Sequence, residues 1–139
     1  MEVENAISSA KDWLEAARVT AEAKVYSQAL YSMEMAVEIA FKAVLIAMHV
    51  EVPKVHDVRR AVRIYLRGNK LISQSFLADL ENYLATYETL LRIRPIVGYG
   101  FEKGISKDEM RNQVSSLFPL CSRIIDECER AIESIERRE

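Results

Sequence analysis

The stretch that decides the fold covers residues 26–50 and reads YSQALYSMEMAVEIAFKAVLIAMHV. Apolar side chains recur in it at the three- and four-residue steps of an α-helix, and further apolar residues lie off that stripe. Glu34, Glu38 and Lys42 form a narrow polar line at steps of four, with the order favourable for an ion pair between the last two. A helix that is apolar over most of its circumference lies at the centre of a bundle or packs against a second chain. The sequence therefore predicts a central helix over residues 25–49.

The rest of the chain predicts further helices and no strand. They are an amphipathic helix over residues 3–23, a short helix that begins at Val58 and is stopped by Gly68 and Asn69, a long helix from Ser73 or Ser75 to Ile93, and a last helix from Ser106 to Ile135. Short connections between long helices imply antiparallel neighbours. We predict an all-α fold, an up-and-down four-helix bundle with one additional short helix, as a single domain over residues 1–139.

Capping and helix-breaking residues set the predicted helix ends. Asp57 is a favourable N-cap for the short helix. Ser106, with Glu109 three residues on, forms a capping box at the start of the last helix. Pro95 is predicted to interrupt the long helix, and Pro119 to bend the last one.

Composition and charge exclude several classes of protein. The chain has 139 residues with only four Gly and three Pro, which is too few for the many tight turns of an all-β fold. The net charge of −2 argues against a protein that coats nucleic acid with its whole surface, but it permits a local basic patch. The N-terminus has no basic segment, and no apolar run approaches the roughly 18 residues of a membrane span. We expect a cytoplasmic protein without membrane contact.

Two cysteines, Cys121 and Cys128, lie seven residues apart in the last predicted helix. That spacing puts them on one face, about 10.5 Å apart along the helix axis. Because a disulfide needs Cα atoms within about 7 Å, we predict buried structural thiols.

Metal-binding patterns are weak in this sequence. The histidines, His49 and His56, lie on either side of a loop and lack the spacing of a metal motif. Glu34 and Glu38 share a helix face, but the second carboxylate-rich helix of a dinuclear site is missing. We therefore expect no metal site and no cofactor.

One basic cluster is evident in residues 54–70, which contain six basic side chains and a single acid, Asp57. Three of them, at steps of four, form a ridge along the short helix. The ridge consists of Arg59, Arg63 and Arg67. It is either a solvated face that balances acidic helices or a patch that contacts phosphates.

The segment RIRPIVGYG, residues 92–100, joins the long helix to the last one. Pro95 removes a helical hydrogen bond and Gly98 loosens the backbone, so the side chains of Arg94 and Tyr99 can converge at the helix end. An always-charged guanidinium beside a phenol suits a phosphate ligand. The alternative is a plain helix end whose arginines cap the last carbonyls.

The run of residues 26–58 resembles the signature of HEPN domains (higher eukaryotes and prokaryotes nucleotide-binding). That signature combines a helix bearing Ala, Glu and Lys at set spacing with a Pro-Lys-x-His-Asp connection. The matching residues are Ala36, Glu38, Lys42, Pro53, Lys54, His56 and Asp57. The helix count and the late capping box also fit that family's bundle, so the resemblance covers most of the chain.

The resemblance implies a prokaryotic, often homodimeric protein, commonly encoded beside a minimal nucleotidyltransferase as a toxin-antitoxin-like module. Many family members cleave RNA without a metal, using an Arg followed after four to six residues by a His, paired across the dimer interface. Here the arginine is Arg94, and Tyr99 stands where the histidine would be. A sub-branch has Arg and then Asp-Tyr-Gly. This chain matches that motif at Arg94, Tyr99 and Gly100 and has Gly98 in place of the aspartate.

Cleaving RNA requires a group that titrates near neutral pH, which tyrosine, with an ordinary pKa of about 10, does not supply. We therefore expect binding without cleavage. The expected protein is a homodimer with the central helix and the corner from Arg94 to Tyr99 near its two-fold axis, and it binds a nucleotide, RNA or a nucleotidyltransferase partner. The expected binding residues are Lys54, His56, Arg59, Arg63 and Arg94. One alternative is a metal-independent ribonuclease with Arg94 and Tyr99 as catalytic residues. The other is a non-catalytic helical assembly protein.

Overall fold

The computed structural model describes residues 2–97, 99, 102 and 104–138, the last of these without its side chain. Across these residues the chain forms five helices and no strand. The helices are α1 (Glu2–Glu22), α2 (Tyr26–Ala47), α3 (Arg59–Leu66), α4 (Gln74–Val97) and α5 (Lys107–Arg138). The prediction of an all-α, up-and-down four-helix bundle with one additional short helix is confirmed.

The central position belongs to α2, which contacts each of the other four helices. Its apolar side chains are buried on nearly all sides, with Met33, Val37 and Phe41 fully enclosed. Neighbours within the same chain therefore account for the apolar circumference of this helix. Two acidic side chains, Glu34 and Glu38, are buried with them, and a core that encloses carboxylates must supply them with partners.

The turn between α1 and α2 is closed by a residue with left-handed backbone geometry that is not glycine. Lys24 has φ 64°, and its N–H donates to the carbonyl of Ala21 at 3.0 Å. The N–H of Val25 donates to the carbonyl of Thr20 at 2.8 Å, which completes a Schellman motif. His49, with φ 61°, lies at the corresponding place after α2. Backbone hydrogen bonds therefore hold the turn before α2 and the turn after it.

Two predicted helix starts can be compared with the structure. The Ser106 cap is confirmed, since the N–H of Glu109 donates to Ser106 Oγ at 3.0 Å. The prediction that Asp57 is the N-cap of α3 is wrong by one residue, because Val58 occupies that place. The Asp57 carboxylate still accepts a hydrogen bond from the N–H of Arg59 at 3.1 Å, so it stabilises the same helix end.

The prediction that Pro95 interrupts the long helix is also wrong, since α4 includes Pro95 and continues to Val97. Pro95 has no N–H to donate to the carbonyl of Leu91, so the helix loses a single backbone hydrogen bond near its end and still continues for two residues. As a consequence Arg94 lies on a regular helix and not in a loop. Pro119 likewise lies inside α5, which is continuous from Lys107 to Arg138.

Both cysteines are buried and free on α5, as predicted. Burial raises the pKa of the Cys121 thiol to about 12 and that of Cys128 further still. Neither thiol is therefore a reactive thiolate near neutral pH. None of the helices in the described part of the chain is both long and apolar enough to cross a bilayer.

Candidate functional site

A buried ionic cluster joins α2 to the C-terminal end of α4. Arg94 reaches in from α4, with Nη1 lying 3.3 Å from Glu34 Oε2 and 3.6 Å from Glu38 Oε1. The Nζ atom of Lys42 lies 2.9 Å from Glu38 Oε2, which confirms the ion pair expected along the polar line. Two fixed cations therefore face two carboxylates at the core of the bundle.

Glu34 is the group that sets the charge of this ionic cluster. It is 0% exposed, and its Oε1 atom has no hydrogen-bond partner within the described part of the chain. Burial, together with the neighbouring Glu38, raises the pKa of Glu34 from 4.5 to about 8, although Arg94 and Lys42 oppose the rise. The raised pKa favours the protonated form of Glu34. The two cations then exceed the charge of Glu38, so the cluster favours an anion.

His56 meets the same cluster from the loop between α2 and α3. Its Nδ1 lies 3.1 Å from Glu38 Oε1, the oxygen that Arg94 also approaches. The buried hydroxyl of Tyr87 donates to the carbonyl of His56 and accepts from the N–H of Val58 at 3.3 Å. Both the backbone and the ring of His56 are thus held in place, while its side chain stays 60% exposed. A fixed, exposed imidazole beside a guanidinium can bind an anion or transfer a proton.

Arg94 also borders an open groove at the surface, of about 610 Å³. Tyr99 lines the same groove, so the structure brings these two predicted site residues together. The Arg94 guanidinium lies over the Tyr31 ring, 5.1 Å from its centroid, and Nη2 is 3.5 Å from the Tyr31 hydroxyl. The other lining residues are Trp13, Ser27, Gln28, Ser32, Pro95 and Val97. This groove combines one cation with aromatic walls.

The basic ridge of α3 is paired with acids of its surroundings. Arg59 contacts Asp57 at 2.8 Å and Glu88 of α4 at 3.5 Å. Arg63 lies 3.1 Å from Glu81 of α4, and Arg67 pairs with the same carboxylate. Much of the ridge is therefore neutralised by side chains of this chain.

Lys54 lies apart from the Arg94 groove, in a cavity of about 910 Å³ bounded by α1, α2 and the loop that follows α2. Lys42 lines the same cavity, so its ammonium connects this cavity to the ionic cluster. Acidic residues at both chain ends of the bundle, Glu2 and Glu136, also line it. The cavity is thus of mixed charge, unlike the groove beside Arg94.

The ionic cluster also contains a possible metal-ligand set. Glu34, Glu38 and His56 place three ligand atoms within 4.8 Å of one another. Arg94 and Lys42 already pair with the two carboxylates, so a divalent cation would have to displace Arg94. The arrangement therefore fits an internally paired cluster better than a metal centre.

Sequence reasoning missed two features of the site. Glu34 was placed on the polar line, but its complete burial beside Arg94 depends on tertiary packing. The contact between His56 and Glu38 joins residues 18 positions apart, and periodicity carries no signal for it. The glycines of the predicted motif, Gly98 and Gly100, lie outside the described residues.

Comparison with known proteins identifies the family of this chain. A family model described as HEPN domain matches residues 3–137. No curated protein matches the sequence. The family match spans essentially the whole chain and confirms the resemblance carried by the central helix and the connection that follows it. The chain belongs to the HEPN domain family.

Proposed function

We propose that this protein binds the phosphate groups of RNA or of a nucleotide at the Arg94 end of α4. Family membership supports a nucleotide- or RNA-related module. The observation that carries the finer proposal is the position of the Arg94 guanidinium, which lines both the ionic cluster and the open groove. Glu34 and Glu38 contact Nη1 of Arg94, the Tyr31 ring lies against the guanidinium, and the groove that Arg94 lines gives a ligand access to it.

Charge supports phosphate as the ligand of this end of α4. With Glu34 protonated, Arg94 and Lys42 outweigh the single charge of Glu38 near neutral pH. A guanidinium is always charged and offers paired donors that match phosphate oxygens. His56 adds a further donor at the edge of the cluster when it carries a proton.

Affinity for single-stranded RNA across a range of salt concentrations tests this proposal. In the double variant Arg94→Ala/Glu34→Gln, the buried side chain at position 34 can no longer ionise once Arg94 is gone, and Glu38 keeps its partner Lys42, which protects the fold. Affinity should fall roughly tenfold or more, and the slope of log affinity against log salt should decrease by about one unit. The exposed Arg92, two residues earlier on α4, gives the matched control Arg92→Ala. Equal affinities and slopes in the double variant and the control would contradict the proposal.

A second function, metal-independent RNA cleavage, is favoured by one observation: His56 and Arg94 approach the same oxygen of Glu38. His56 would accept the proton of a ribose 2′-hydroxyl as the 2′-oxygen bonds to phosphorus. The bond to the 5′-oxygen would then break, with Arg94 stabilising the charge on phosphorus and Tyr99 donating a proton to the leaving oxygen. The products are a 2′,3′-cyclic phosphate and a free 5′-hydroxyl.

A denaturing gel with EDTA present separates cleavage from binding. Under the second function, His56→Gln abolishes cleavage but lowers affinity far less than the Arg94 double variant does, whereas His49→Gln, the histidine control, leaves cleavage intact. A substrate with 2′-deoxyribose at the cleaved position should resist cleavage. Cleavage that survives His56→Gln refutes this second function and leaves the binding proposal standing.

Homodimerisation and a nucleotidyltransferase partner, in a toxin-antitoxin-like module, are carried over as proposals from the family resemblance. Light scattering on the purified chain should give twice the monomer mass, and a monomer at micromolar concentration would contradict the dimer. A non-catalytic assembly protein, the remaining alternative, would show no rise in melting temperature with RNA or nucleotides.

A further inference from the structure

We infer that the cavity over Lys42 is a second ligand site, which takes a small apolar monocarboxylate, and that its occupancy weakens phosphate binding at Arg94. The cavity has a volume of about 910 Å³ and lies between α1, the second half of α2 and the loop that follows α2. The carboxylate site stands on its own contacts, whereas its effect on phosphate rests on the proposed function.

The floor of this cavity is a stripe of α2 that the rest of the bundle leaves half-buried. Ile39, Lys42 and Ile46 follow one another at steps of three and four, so they lie on one face of the helix. All three line the cavity and are half-buried, in contrast to the enclosed residues around them on α2. The apolar walls are Val3, Ala6, Val50, Val52 and Pro53. A largely apolar lining with few polar groups is typical of a small-molecule site.

Lys42 is the charged group of the floor. Its side chain is 22% exposed, and its ammonium lies 2.9 Å from Glu38 Oε2, which holds it in place. An ammonium has three N–H donors, and among the residues that the structure describes Glu38 is the acceptor seen for this one. Two donors therefore remain for a ligand in the cavity. An anionic oxygen is the acceptor that forms the strongest hydrogen bonds with such a cation.

The other charged or titratable side chains of the lining are exposed, so they form the rim of the cavity. They are Glu2, His49, Glu51, Lys54 and Glu136. Water and salt screen exposed charges, whereas a charge that is partly removed from water interacts more strongly with a ligand. Lys42 therefore determines the sign of the ligand charge, and a single carboxylate on an apolar body matches one cation in an apolar floor.

Glu38 connects this cavity to the phosphate site. Its Oε2 atom holds Lys42, and its Oε1 atom lies 3.6 Å from Nη1 of Arg94. A carboxylate bound at Lys42 adds a negative charge beside the ionic cluster and competes with Glu38 for the ammonium. Glu38 then interacts more strongly with Arg94, and both effects reduce the attraction of the cluster for phosphate. By thermodynamic linkage, phosphate binding weakens carboxylate binding by the same factor.

Methyl NMR of isoleucine tests the site with octanoate as the probe. The ¹³C-labelled methyl signals of Ile39 and Ile46 should shift and saturate, while that of Ile64, which is exposed on α3, stays in place. Octan-1-ol and octylammonium share the apolar chain and should bind at least tenfold more weakly. Equal affinity for the three probes, or no shift with octanoate, overturns the carboxylate site. A shift with protein concentration alone places a second copy of the chain over the cavity and also overturns it.

The variant Lys42→Met keeps the apolar stem of the side chain and removes its ammonium. It should weaken octanoate binding at least tenfold, whereas the matched variant Lys54→Met at the rim should change it less than about threefold. If Lys42→Met does not fold because Glu38 loses a partner, the double variant Lys42→Met/Glu38→Gln removes both charges together and carries the same prediction. Equal octanoate affinities in the Lys42 and Lys54 variants overturn the site.

RNA affinity measured with and without octanoate tests the connection to Arg94. Saturating octanoate should lower the affinity of the wild-type chain for single-stranded RNA roughly fivefold, and Lys42→Met should abolish this decrease. An RNA affinity that octanoate leaves unchanged, while the Ile39 and Ile46 signals shift, overturns the coupling. RNA binding that is independent of Arg94 overturns the proposed function instead, and the octanoate titration without RNA still tests the cavity.

Discussion

Replacing Glu34 by glutamine tests the charge of the ionic cluster most sharply. The substitution keeps the shape of the buried side chain and removes its ability to ionise. In the wild-type chain burial raises the pKa of Glu34 from 4.5 to about 8. Between these two pH values, the folded state therefore keeps a proton on Glu34 that the unfolded state has released. The contribution of Glu34 to the free energy of unfolding is fully present below pH 4.5 and is lost as the pH rises through about 8.

The size of the effect follows from that window. Between pH 4.5 and about 8, each rise of one pH unit lowers the free energy of unfolding of the wild-type chain by roughly 1.4 kcal/mol. Because glutamine does not ionise, the stability of the variant relative to wild type should rise by roughly 1.4 kcal/mol per pH unit. The full rise has an upper limit of roughly 4–5 kcal/mol and levels off above about pH 8. Other titrating groups are common to both chains and largely cancel in the difference.

Urea denaturation at pH 5, 6, 7, 8 and 9, followed by circular dichroism, measures this difference. Glu133→Gln on α5, where the side chain is exposed, is the matched control and should differ from wild type by a small, constant amount. A difference between Glu34→Gln and wild type that stays constant over the whole pH range would refute the reasoning. It would mean that Glu34 is ionised in the folded chain at neutral pH.

Four further predictions follow from the same contacts. RNA affinity should fall as the pH rises from 7 to 9, because ionised Glu34 cancels the positive charge, and the Glu34→Gln variant should lose much of this dependence in a fluorescence titration. Tyr87→Phe should cost roughly 1–3 kcal/mol in urea denaturation, because it leaves the buried N–H of Val58 without its partner; an unchanged midpoint would contradict this. Lys24→Gly should raise the free energy of unfolding by roughly 0.5–1 kcal/mol, since glycine adopts φ 64° without strain, and a loss of stability would count against it. Arg63→Ala should reduce RNA affinity less than the Arg94 double variant, because Glu81 already neutralises Arg63.

The helices of this fold could be read from the sequence because apolar periodicity is a local signal. The central position of α2 followed from its apolar circumference, and the start of α5 from the Ser106 cap. The local penalty of Pro95 predicts an interruption, whereas α4 packs on α2 and continues to Val97. Local rules place helix ends to within a turn, and tertiary contacts decide the rest.

The site was only partly predictable, for a different reason. Arg94 and Tyr99 were identified from their residue types near a helix end, and they do line one groove. The partner of Arg94 is Glu34, 60 residues earlier in the chain, and this pairing exists only once α2 and α4 are packed together. The positive charges of Arg59 and Arg63 are evident in the sequence, whereas their acid partners on α4, Glu88 and Glu81, are brought to them only by the fold.

The central claim is that the Arg94 guanidinium contacts ligand phosphate, and NMR of arginine side chains measures this directly. In a chain with ¹⁵N-labelled arginine, the Nε–H signal of Arg94 is assigned by its loss in Arg94→Lys. On titration with single-stranded RNA at pH 7, this signal should shift and saturate together with the quenching of Trp13 fluorescence, while the signal of Arg92 stays in place. Saturation of the fluorescence with the Arg94 signal unmoved would contradict the claim and place the ligand elsewhere on the molecule.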